Sequence, residues 1–419
     1  MKAAIKQTEL GVLPEAWDVT TLGTLFAFTN GINADKTAYG KGIPFINVLE
    51  PITYSHIFGP EISGRVQIST EAAQAYLVKC SDIVFNRTSE TDSELGLAAV
   101  YLGDERVVFG GFVIRGRPIT DALDPKYSGY ALRAKMIRSQ IVSMGQGAVR
   151  ANIGQQNLKR VIVPVPPKRE QQAIAQTLGD VDELIAALDH LIVKKRGMKK
   201  AAIQQLLTGR TRLPGFSGKW EVKRIGEIGS TYGGLTGKTK SDFGHGAGRY
   251  VTFMNVMSNV VIDCGLLEQV RVLPGESQNQ VKKGDLLFNG SSETPEEVAM
   301  CSLMTSEVPN LFLNSFCFGF RLRDESQTDG LFLAYYLRAT PGREVMKSLA
   351  QGSTRYNLSK SALLSASIRL PLKAEQTAIA TFLSDMDAEL SVLEARRDKT
   401  CALKQGMMQE LLTGKTRLI

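Results

Sequence analysis

Two segments of the chain carry apolar residues at alternating steps of four and three. Steps that average about 3.5 residues are typical of a helix whose apolar seam packs against another helix. Gly209 and Gly414 stand where a helix C-cap is expected. The spacing therefore predicts two helices of about 38 residues, each about 57 Å long at the rise of an α-helix. The seam residues, which we predict to mediate helix pairing, are Ile174, Leu178, Val181, Ile185, Leu188 and Ile192, then Ile379, Leu383, Met386, Leu390 and Leu393.

The two predicted helices have the same charge polarity. Acidic residues come early in each, between Asp180 and Asp189 and between Asp385 and Glu394. Basic residues come late, in residues 194–200 and 396–404, although Asp398 interrupts the second group. An antiparallel pair sets each acidic half against the other's basic half, so the pattern favours an antiparallel coiled coil. The alternative is that each helix packs only on its own domain.

These helical segments are the best preserved part of a direct repeat. Residues 170–213 and 375–418 align without a gap, and roughly 19 of 44 positions are identical. Weaker matches run upstream, and they are Trp17-x-Val19 with Trp220-x-Val222, Phe45-x-Asn47-Val48 with Phe253-x-Asn255-Val256, Asp82-x-x-Phe85-Asn86 with Asp285-x-x-Phe288-Asn289, Leu132-Arg133 with Leu337-Arg338, and Gln146-Gly147-x-x-Arg150-x-Asn152 with Gln351-Gly352-x-x-Arg355-x-Asn357. We therefore predict four segments, at 1–168, 169–213, 214–372 and 373–419, in which a variable domain alternates with a helical region.

Both variable segments are predicted to be mixed α/β. Short apolar runs read as strands, and they are 43–46, 83–85, 107–109 and 161–163 in the first segment, then 250–253, 285–288 and 316–318 in the second. The clearest helix inside a variable segment is Asp329–Ala339. Pro164, Pro166, Pro167 and Pro371 end the last strand before each long helix.

Composition narrows the function classes. The 419 residues are 43% hydrophobic and 22% charged, which excludes a mostly disordered chain. We expect no membrane span, no signal peptide and a cytoplasmic location. Five scattered cysteines and three histidines favour neither a disulfide framework nor a metal site. A net charge of +8 favours an anionic partner, and nucleic acid comes first.

The search for catalytic motifs gives negative results. The segment Gly233–Thr239 resembles a P-loop, but Tyr232 occupies the position where that motif requires its first glycine. No HExxH motif, no strand-linked GxGxxG motif and no amino-methyltransferase tetrapeptide of Asn or Asp, two prolines and an aromatic occurs. We therefore expect no catalytic residue and no cofactor on this chain, which argues against a self-sufficient methyltransferase or nuclease.

The candidate DNA contacts are polar loop residues that recur in both repeats, together with lysines and an arginine that flank Gly-rich loops. Asn and Arg can form paired hydrogen bonds with base edges, while Ser, Thr and Lys suit phosphate. Each could instead be an ordinary turn former or a solvated side chain. The candidates are Lys36, Lys41, Asn86, Arg87, Thr88, Ser89, Gln146, Arg150 and Asn152 in the first repeat, and Lys238, Lys240, Arg249, Asn289, Ser291, Ser292, Gln351, Arg355, Tyr356 and Asn357 in the second.

At this point the sequence resembles a known family, the specificity (S) subunit of Type I restriction–modification systems. The resemblance rests on Glu170-Gln171-x-x-Ile174-Ala175 with Asp180 and Asp182, on Leu206-Leu207-Thr208-Gly209, and on the second copies from Glu375 to Gly414. Pro166-Pro167 before the Glu-Gln pair and the Gly284–Phe288 segment are also typical of the family, although the first repeat has Cys80-Ser81-Asp82 there.

The resemblance implies two target recognition domains that each read one half of a split, asymmetric DNA sequence. It implies that the two long helices form an antiparallel coiled-coil spacer with pseudo-two-fold symmetry and dock two methyltransferase (M) subunits. The seam residues are then candidates for subunit docking as well as for helix pairing. Restriction/translocase (R) subunits would join the complex. S-adenosylmethionine, ATP and Mg are then expected on the partner subunits, whose reaction is methylation of adenine at N6.

A second hypothesis remains open, a non-catalytic protein-interaction scaffold that dimerises through its helices. Strong salt dependence of DNA binding would favour the first hypothesis.

Overall fold

A computed structural model describes residues 4–147 and 150–418. It divides into two compact units, one of which is built from two separate stretches of the chain. Unit 1 joins residues 1–189 to residues 395–419, and unit 2 is the continuous stretch His190–Glu394. This division follows contacts in space and passes through both long helices, so the predicted segment boundaries along the chain stay predictions.

Unit 1 contains two main sheets and three short strand pairs. Its strands are β1 (Ile5–Thr8), β2 (Gly11–Pro14), β3 (Asp18–Thr21), β4 (Phe26–Asn30), β5 (Tyr39–Ile46), β6 (His56–Ile57), β7 (Arg65–Val66), β8 (Leu77–Val78), β9 (Ile83–Asn86), β10 (Thr88–Ser89), β11 (Ala98–Tyr101), β12 (Val107–Phe109), β13 (Val113–Pro118), β14 (Ala151–Asn152) and β15 (Ile162–Val165). Its helices are α1 (Leu22–Leu25), α2 (Leu49–Thr53), α3 (Thr70–Ala75), α4 (Pro125–Ala131), α5 (Lys135–Ser143), α6 (Gln155–Arg160) and α7 (Lys168–Leu206), which continues into unit 2 after Asp189.

The larger sheet of unit 1 has the order β4-β13-β9-β11-β6, and the smaller one has the order β7-β5-β12-β8. Most neighbours are antiparallel, while β11 with β6 and β12 with β5 are parallel. The central strand β9 is a continuous apolar run because both of its faces are covered. Ile83 and Phe85 pack in one core cluster and Val84 packs in another.

Unit 2 repeats this plan with fewer strands. Its strands are β16 (Glu221–Arg224), β17 (Gly229–Gly233), β18 (Phe243–Val251), β19 (Leu267–Val270), β20 (Leu286–Asn289), β21 (Ser291–Ser292), β22 (Cys301–Leu303), β23 (Leu311–Leu313), β24 (Cys317–Leu322), β25 (Tyr356–Asn357) and β26 (Ser367–Leu370). Its helices are α8 (Ile225–Ile228), α9 (Phe253–Ser258), α10 (Gly330–Arg338), α11 (Thr340–Leu349), α12 (Lys360–Ser365) and α13 (Lys373–Leu411), which continues into unit 1 from Ala395. The main sheets have the orders β17-β24-β20-β22 and β19-β18-β23.

The structure corrects one alignment within the repeat. In the parallel pairs, Ile46 of β5 lies opposite Phe109, and Val251 of β18 lies opposite Leu313. Ile46 is therefore equivalent to Val251, and the predicted match of Phe45 with Phe253 is wrong. Phe253 is not part of a strand because the Thr252 side chain accepts a hydrogen bond from the Asn255 amide and begins α9 there.

The two long helices have the predicted length and seam. The structure has 39 residues in α7 and 39 in α13. After each helix the chain turns through a glycine, Gly209 or Gly414, with φ of +69°. The predicted seam residues are buried or half-buried throughout, whereas Leu403, ten residues after the last of them, is 58% exposed.

Each unit contains parts of both helices. In unit 1, Ile174 and Leu178 of α7 pack in one cluster with Leu411 of α13 and with Trp17 and Tyr130. In unit 2, Ile379 and Leu383 of α13 pack in one cluster with Leu206 of α7. The helices therefore pack on their own domain and on each other, so the two alternatives left by the sequence are both partly right.

Candidate DNA interface

In each unit, the glutamate of the repeated Glu-Gln pair contacts an arginine that follows the end of the other long helix. Glu170 is fully buried in unit 1 and forms an ion pair with Arg417, with 2.7 Å between Oε2 and Nη2. Glu375 is buried in unit 2 and forms the same pair with Arg212. Arg212 and Arg417 are the arginines of the two Thr-Arg-Leu ends. The strongest sequence motifs of the repeat are thus two halves of one structural contact.

The neighbouring glutamines hold the residue that precedes α4 in unit 1 and the residue that precedes α10 in unit 2. Gln171 Oε1 accepts from the Asp124 amide at 2.6 Å, and Gln376 Oε1 accepts from the Asp329 amide at 2.9 Å. Their amide nitrogens donate to the carbonyls of Pro166 and Pro371. Both side chains are buried, so these hydrogen bonds satisfy polar groups that would be costly to leave unpaired.

Asp182 of α7 and its equivalent in α13, Asp387, each bind a tyrosine and a lysine. In unit 1, Asp182 accepts from the Tyr130 hydroxyl at 2.8 Å and pairs with Lys404 at 2.5 Å. In unit 2, Asp387 accepts from Tyr335 at 2.6 Å and pairs with Lys199. Burial and the carboxylate together raise the pKa of the Tyr130 phenol well above its usual range, so it remains a hydrogen-bond donor at neutral pH.

Ion pairs between the helices show their relative direction inside each unit. In unit 2, Lys195 pairs with Glu389 at 2.6 Å, and Lys199, one turn later in α7, pairs with Asp387, which comes earlier in α13. Arg196 also pairs with Glu394 at 2.6 Å. In unit 1 the pairs are Asp182 with Lys404 and Asp189 with Arg397. Numbers rise along one helix as they fall along the other, so the pairing is antiparallel, as the charge polarity predicts.

A half-buried arginine holds the short helix α2 in unit 1 and the short helix α9 in unit 2. Arg133 donates to the carbonyls of Pro51, Ile52 and Tyr54 at 2.8–2.9 Å and to Ala98. Arg338 is its equivalent, with donations to Val256, Met257, Asn259 and Cys301. A guanidinium at a helix C-terminus satisfies carbonyls that have no partner in the helix. The repeated Leu-Arg dipeptide is therefore structural.

Three polar segments meet at one end of unit 1. The loop after β9 pairs with β14 through Thr88 opposite Asn152, and the Ile153 amide donates to the Arg87 carbonyl at 3.0 Å. The Arg87 amide in turn donates to the Phe112 carbonyl at 2.9 Å. Unit 2 has the same arrangement, with Ser291 opposite Asn357. Its Leu358 amide donates to Gly290, and the Gly290 amide donates to Phe316.

The two asparagines predicted to read bases are not available to DNA. Asn86 and Asn289 are fully buried. Asn86 donates to the Glu94 carbonyl at 3.0 Å, and Asn289 donates to the Glu297 carbonyl at 2.9 Å. Asn289 Oδ1 also accepts from the Met300 amide. Their repetition reflects a shared strand end, which corrects the expectation that they contact base edges.

Several other candidate side chains are also buried or bound to other residues of the protein. Ser89 and Ser292 are buried and donate to Glu94 and Glu297. Ser291, next to Ser292 in the chain, is also buried. Lys238 is nearly buried in an ion pair with Glu276, whose carboxyl pKa the lysine lowers. As placed, these four side chains offer DNA little of their polar surface.

The remaining candidates lie at the surface or are half-buried. Arg150 pairs with the exposed Glu90 at 3.0 Å, and Arg87 donates to the Gly111 carbonyl at 3.4 Å. The exposed candidates are Lys36, Lys41, Gln146, Arg150, Asn152, Lys240, Arg249, Gln351, Arg355 and Asn357, and the half-buried ones are Arg87, Thr88 and Tyr356. Their assignment to DNA stays a prediction.

The sequence reasoning missed four exposed apolar residues in these regions. Phe112 and Phe316 stand in equivalent turns and are 50% and 60% exposed. Leu49 and Met254 lie in the equivalent short helices α2 and α9 and are about as exposed. In unit 1 a cleft of about 360 Å³ is lined by Phe112 together with Asn47, Val48, Ile52, Thr88, Ser89, Glu90, Glu94 and Arg150. The available signal was an aromatic residue next to turn formers, as in Gly110-Gly111-Phe112.

The described residues lack both a membrane-spanning helix and a metal-binding cluster. Every helix in residues 4–147 and 150–418 is too short or too polar to cross a membrane. Within the same ranges, no group of three or more His, Cys, Asp and Glu side chains is placed to hold a metal ion.

Comparison with known proteins defines the family. A family model described as Type I restriction modification DNA specificity domain matches residues 14–194 and again residues 217–400. The chain therefore belongs to the family of Type I restriction–modification DNA specificity subunits, as its repeated motifs predicted. Members of this family are the non-catalytic DNA-recognition subunits of their systems.

Individual relatives agree over the whole length. The chain is 25% identical over 446 residues to a protein named as the specificity subunit of the type I restriction enzyme MjaX of Methanocaldococcus jannaschii, with 99% of this chain and 96% of that protein covered. Two crystal structures are similar in fold. The S subunit of a Type I restriction–modification system from M. genitalium gives a TM-score of 0.56 at 18% identity, covering 94% of this chain and 96% of that one. The HsdS subunit of Thermoanaerobacter tengcongensis gives 0.51 at 17% identity, covering 96% and 98%. The predicted mixed α/β repeat with long paired helices is thus confirmed.

Proposed function

We propose that this chain selects the DNA sequence for a Type I restriction–modification complex. Each unit would read one half of a bipartite target through the surface where three segments meet. They are the strand-end loop after β9 or β20, the exposed turn that contains Phe112 or Phe316, and strand β14 or β25. The observation that carries this proposal is the duplicated arrangement of these three segments, held by the same backbone hydrogen bonds in both units. Because some residues of these segments differ between the units, as Arg87 and Gly290 do, the two half-sites should differ and the target should be asymmetric.

The exposed arginines and amides of these segments have the chemistry for DNA contact. Arg150 and Asn152 in unit 1, and Arg355 and Asn357 in unit 2, can donate to guanine acceptors, pair with adenine or bind phosphate. Lys41 in unit 1 and Lys240 and Arg249 in unit 2 add exposed positive charge near strand and turn ends. We expect such contacts to make binding strongly salt-dependent.

The helices are proposed to dock the methyltransferase subunits and to set the distance between half-sites. The predicted seam residues are buried or half-buried within their own units, so docking would use apolar residues that the helices leave exposed. These are Leu184 and Leu403 in unit 1 and Leu191, Val193, Met198, Phe382 and Val392 in unit 2. Two methyltransferase subunits and the restriction subunits would carry S-adenosylmethionine, ATP and Mg, and this chain would carry none of them.

The experiment that tests the function is co-expression of this chain with the methyltransferase subunit, followed by mapping of adenine methylation across the host genome. We expect a split, asymmetric motif with a fixed gap that disappears when this chain is omitted. A contiguous motif would contradict the two-reader arrangement. An assembled complex without methylation and without salt-dependent DNA binding would favour the protein-interaction scaffold instead.

A paired insertion tests the spacer. Seven residues added after Asp189 and seven added after Arg396 lengthen both helices by one heptad and keep the antiparallel ion pairs of each unit in register. The helices grow by about 10 Å, so we expect the motif gap to lengthen by about three base pairs. An unchanged gap in an assembled complex would rule out the spacer role, and the single insertions serve as controls that break the register.

A further inference from the structure

We propose that Phe112 and Phe316 are aromatic wedges, one for each half-site, whose rings stack on DNA bases. This inference rests on the proposed DNA-reading function and adds to it a mode of contact that the polar candidates do not supply. The occupant of this surface is DNA because the same three segments that surround each ring carry the exposed arginines and amides described above.

The two rings occupy the same position in two domains whose loops have otherwise diverged. Each phenylalanine is the third residue of a four-residue turn, closed by a hydrogen bond from Val113 to Gly110 in unit 1 and from Cys317 to Asn314 in unit 2. The turn residues before them differ, since Gly110-Gly111 in one unit is replaced by Asn314-Ser315 in the other. The aromatic ring is thus retained where its neighbours are not.

Both turns are held firmly while the rings project into solvent. The carbonyl of each phenylalanine accepts from the strand-end loop, from Arg87 at 2.9 Å and from Gly290 at 2.8 Å. Asn314 Oδ1 accepts from the Phe316 amide at 2.9 Å and fixes the second turn further. A ring on a fixed backbone loses little conformational freedom when it binds, which suits a residue that makes a specific contact.

Exposure of the rings is unfavourable in the free protein, and a phenylalanine has no hydrogen-bonding group that could read a base edge. The favourable interactions left to it are burial and stacking. Apolar residues such as Phe, Leu and Met enter base steps in DNA-bending proteins, and base–aromatic stacking is largely independent of sequence. Leu49 and Met254 are likewise exposed, in the equivalent short helices α2 and α9.

In unit 1 the Phe112 ring borders the cleft that also contains Thr88 and Arg150. A base that leaves the stack could therefore meet a ring face, a hydroxyl and a guanidinium at one place. Methylation of an adenine needs that base to leave the duplex, which opens the stack around it. Rings that stack on the opened bases would stabilise this state within the half-site that each domain reads.

The test uses the full chain assembled with its methyltransferase subunits and a duplex that carries the mapped target. Phe112→Ala and Phe316→Ala should each weaken binding by about tenfold or more, because stacking of one base on an aromatic ring is lost. Phe112→Trp should restore binding, whereas Phe112→Leu should not, since only the former keeps a ring. Phe58→Ala, which removes a similarly exposed ring from unit 1 outside these segments, should bind like wild type.

Methylation mapping supplies the second measurement. Phe112→Ala should relax or reduce modification through one half-site and Phe316→Ala through the other. Unchanged binding and methylation in both alanine variants would overturn the wedge, and full rescue by leucine would replace stacking with simple apolar contact. Failure of the wild-type complex to bind the target would instead overturn the proposed function, so the two failures are distinguishable.

Discussion

Units 1 and 2 have similar contacts in their interiors and differ at several positions on their surfaces. Several buried polar contacts recur, with Asp82 bound by Arg117 and Asp285 bound by Arg321, each through two hydrogen bonds of 2.7–3.0 Å. Some surface positions also recur, as Arg150 and Arg355 do, but others differ, and the half-buried Arg87 of unit 1 is replaced by Gly290 in unit 2. The proposed DNA surfaces of the two units are therefore similar without being identical.

The supporting details also differ between the units. Trp17 donates from Nε1 to Glu170 at 2.9 Å, whereas the indole N–H of Trp220 is buried without a hydrogen-bond acceptor among the described residues. Asp285 accepts an additional hydrogen bond from Tyr232, while the second arginine beside Asp82 is Arg115. Two domains can thus keep the same ion pair with different third partners, and each difference can be tested.

The largest effect is expected at the buried glutamates. Glu170→Ala leaves Arg417 and the Trp17 indole without their acceptor, whereas Glu375→Ala affects Arg212 alone. Removal of one partner from a buried ion pair costs about 3–5 kcal/mol, so we expect a loss of that size in unit 1 and a smaller loss in unit 2. Urea unfolding, followed by hydrogen exchange resolved to each unit, measures both.

Glu183→Ala is the matched control, because this glutamate is exposed on the same helix. Equal losses for Glu170→Ala and Glu375→Ala would show that the tryptophan hydrogen bond contributes nothing to the difference.

The next effect concerns the equivalent surface arginines. Arg355→Ala should weaken binding to one half-site by about 1–3 kcal/mol if the guanidinium contacts a base. Arg150→Ala should weaken the other half-site less, since Arg150 already pairs with Glu90 and must leave that carboxylate to reach DNA. Affinity measured against salt concentration separates the contact types, because loss of a phosphate contact lowers the salt slope by about one.

Glu90→Gln provides the control for this pair, and it should bring the contribution of Arg150 closer to that of Arg355. A larger effect of Arg150→Ala than of Arg355→Ala would reverse the comparison.

A smaller effect is expected from the helix charges. Reversal of Lys195 and Arg196 to Glu replaces two attractions in unit 2 with repulsions from Glu389 and Glu394. Partly exposed pairs contribute roughly 0.2–1 kcal/mol each, so unit 2 should lose about 1 kcal/mol while unit 1 stays unchanged. Simultaneous change of Glu389 and Glu394 to Lys should restore the stability, and failure of this rescue would mean that the ion pairs are not the cause.

The smallest effect is a pH dependence restricted to unit 1. Burial lowers the pKa of His56, and the neighbouring Lys404 and Arg133 lower it further against the opposing influence of the Lys126 carbonyl and Asp182. The unfolded chain therefore binds a proton more readily than the folded one, so stability should fall as the pH drops below about 6.5. His56→Gln should remove this dependence in hydrogen exchange, and the exchange of unit 2 is the internal reference.

The sequence was most informative where periodicity and repetition act together. The seam from Ile174 to Ile192 and the charge polarity predicted both helices and their direction. This was possible because helix pairing depends on the spacing of apolar and charged residues that are close in sequence. The same repetition misled the site assignment at Asn86 and Asn289. A residue recurs between copies when it holds the shared fold as readily as when it binds a shared ligand, and only burial separates the two.

Three further features could not be predicted from the sequence, each for a physical reason. The correct equivalence of Ile46 with Val251 depends on pairing with distant strands, which no local pattern reveals. The exposed rings of Phe112 and Phe316 were missed because an apolar residue beside a strand is ordinarily assigned to the core. The ion pairs of Glu170 with Arg417 and of Glu375 with Arg212 could not be read either, since each joins residues far apart in sequence.

The split composition of unit 1 has a consequence for protein synthesis. Unit 2 is continuous, and its Arg212 leaves the ribosome long before Glu375, so this unit can complete its ion pair once residue 394 has emerged. Glu170 must wait for Arg417, and at about 5–20 residues per second that delay lasts on the order of ten seconds or more. A nascent chain would therefore expose the unfinished face of the first domain while the second is already folding, which gives chaperones or an early-arriving subunit a defined interval in which to bind.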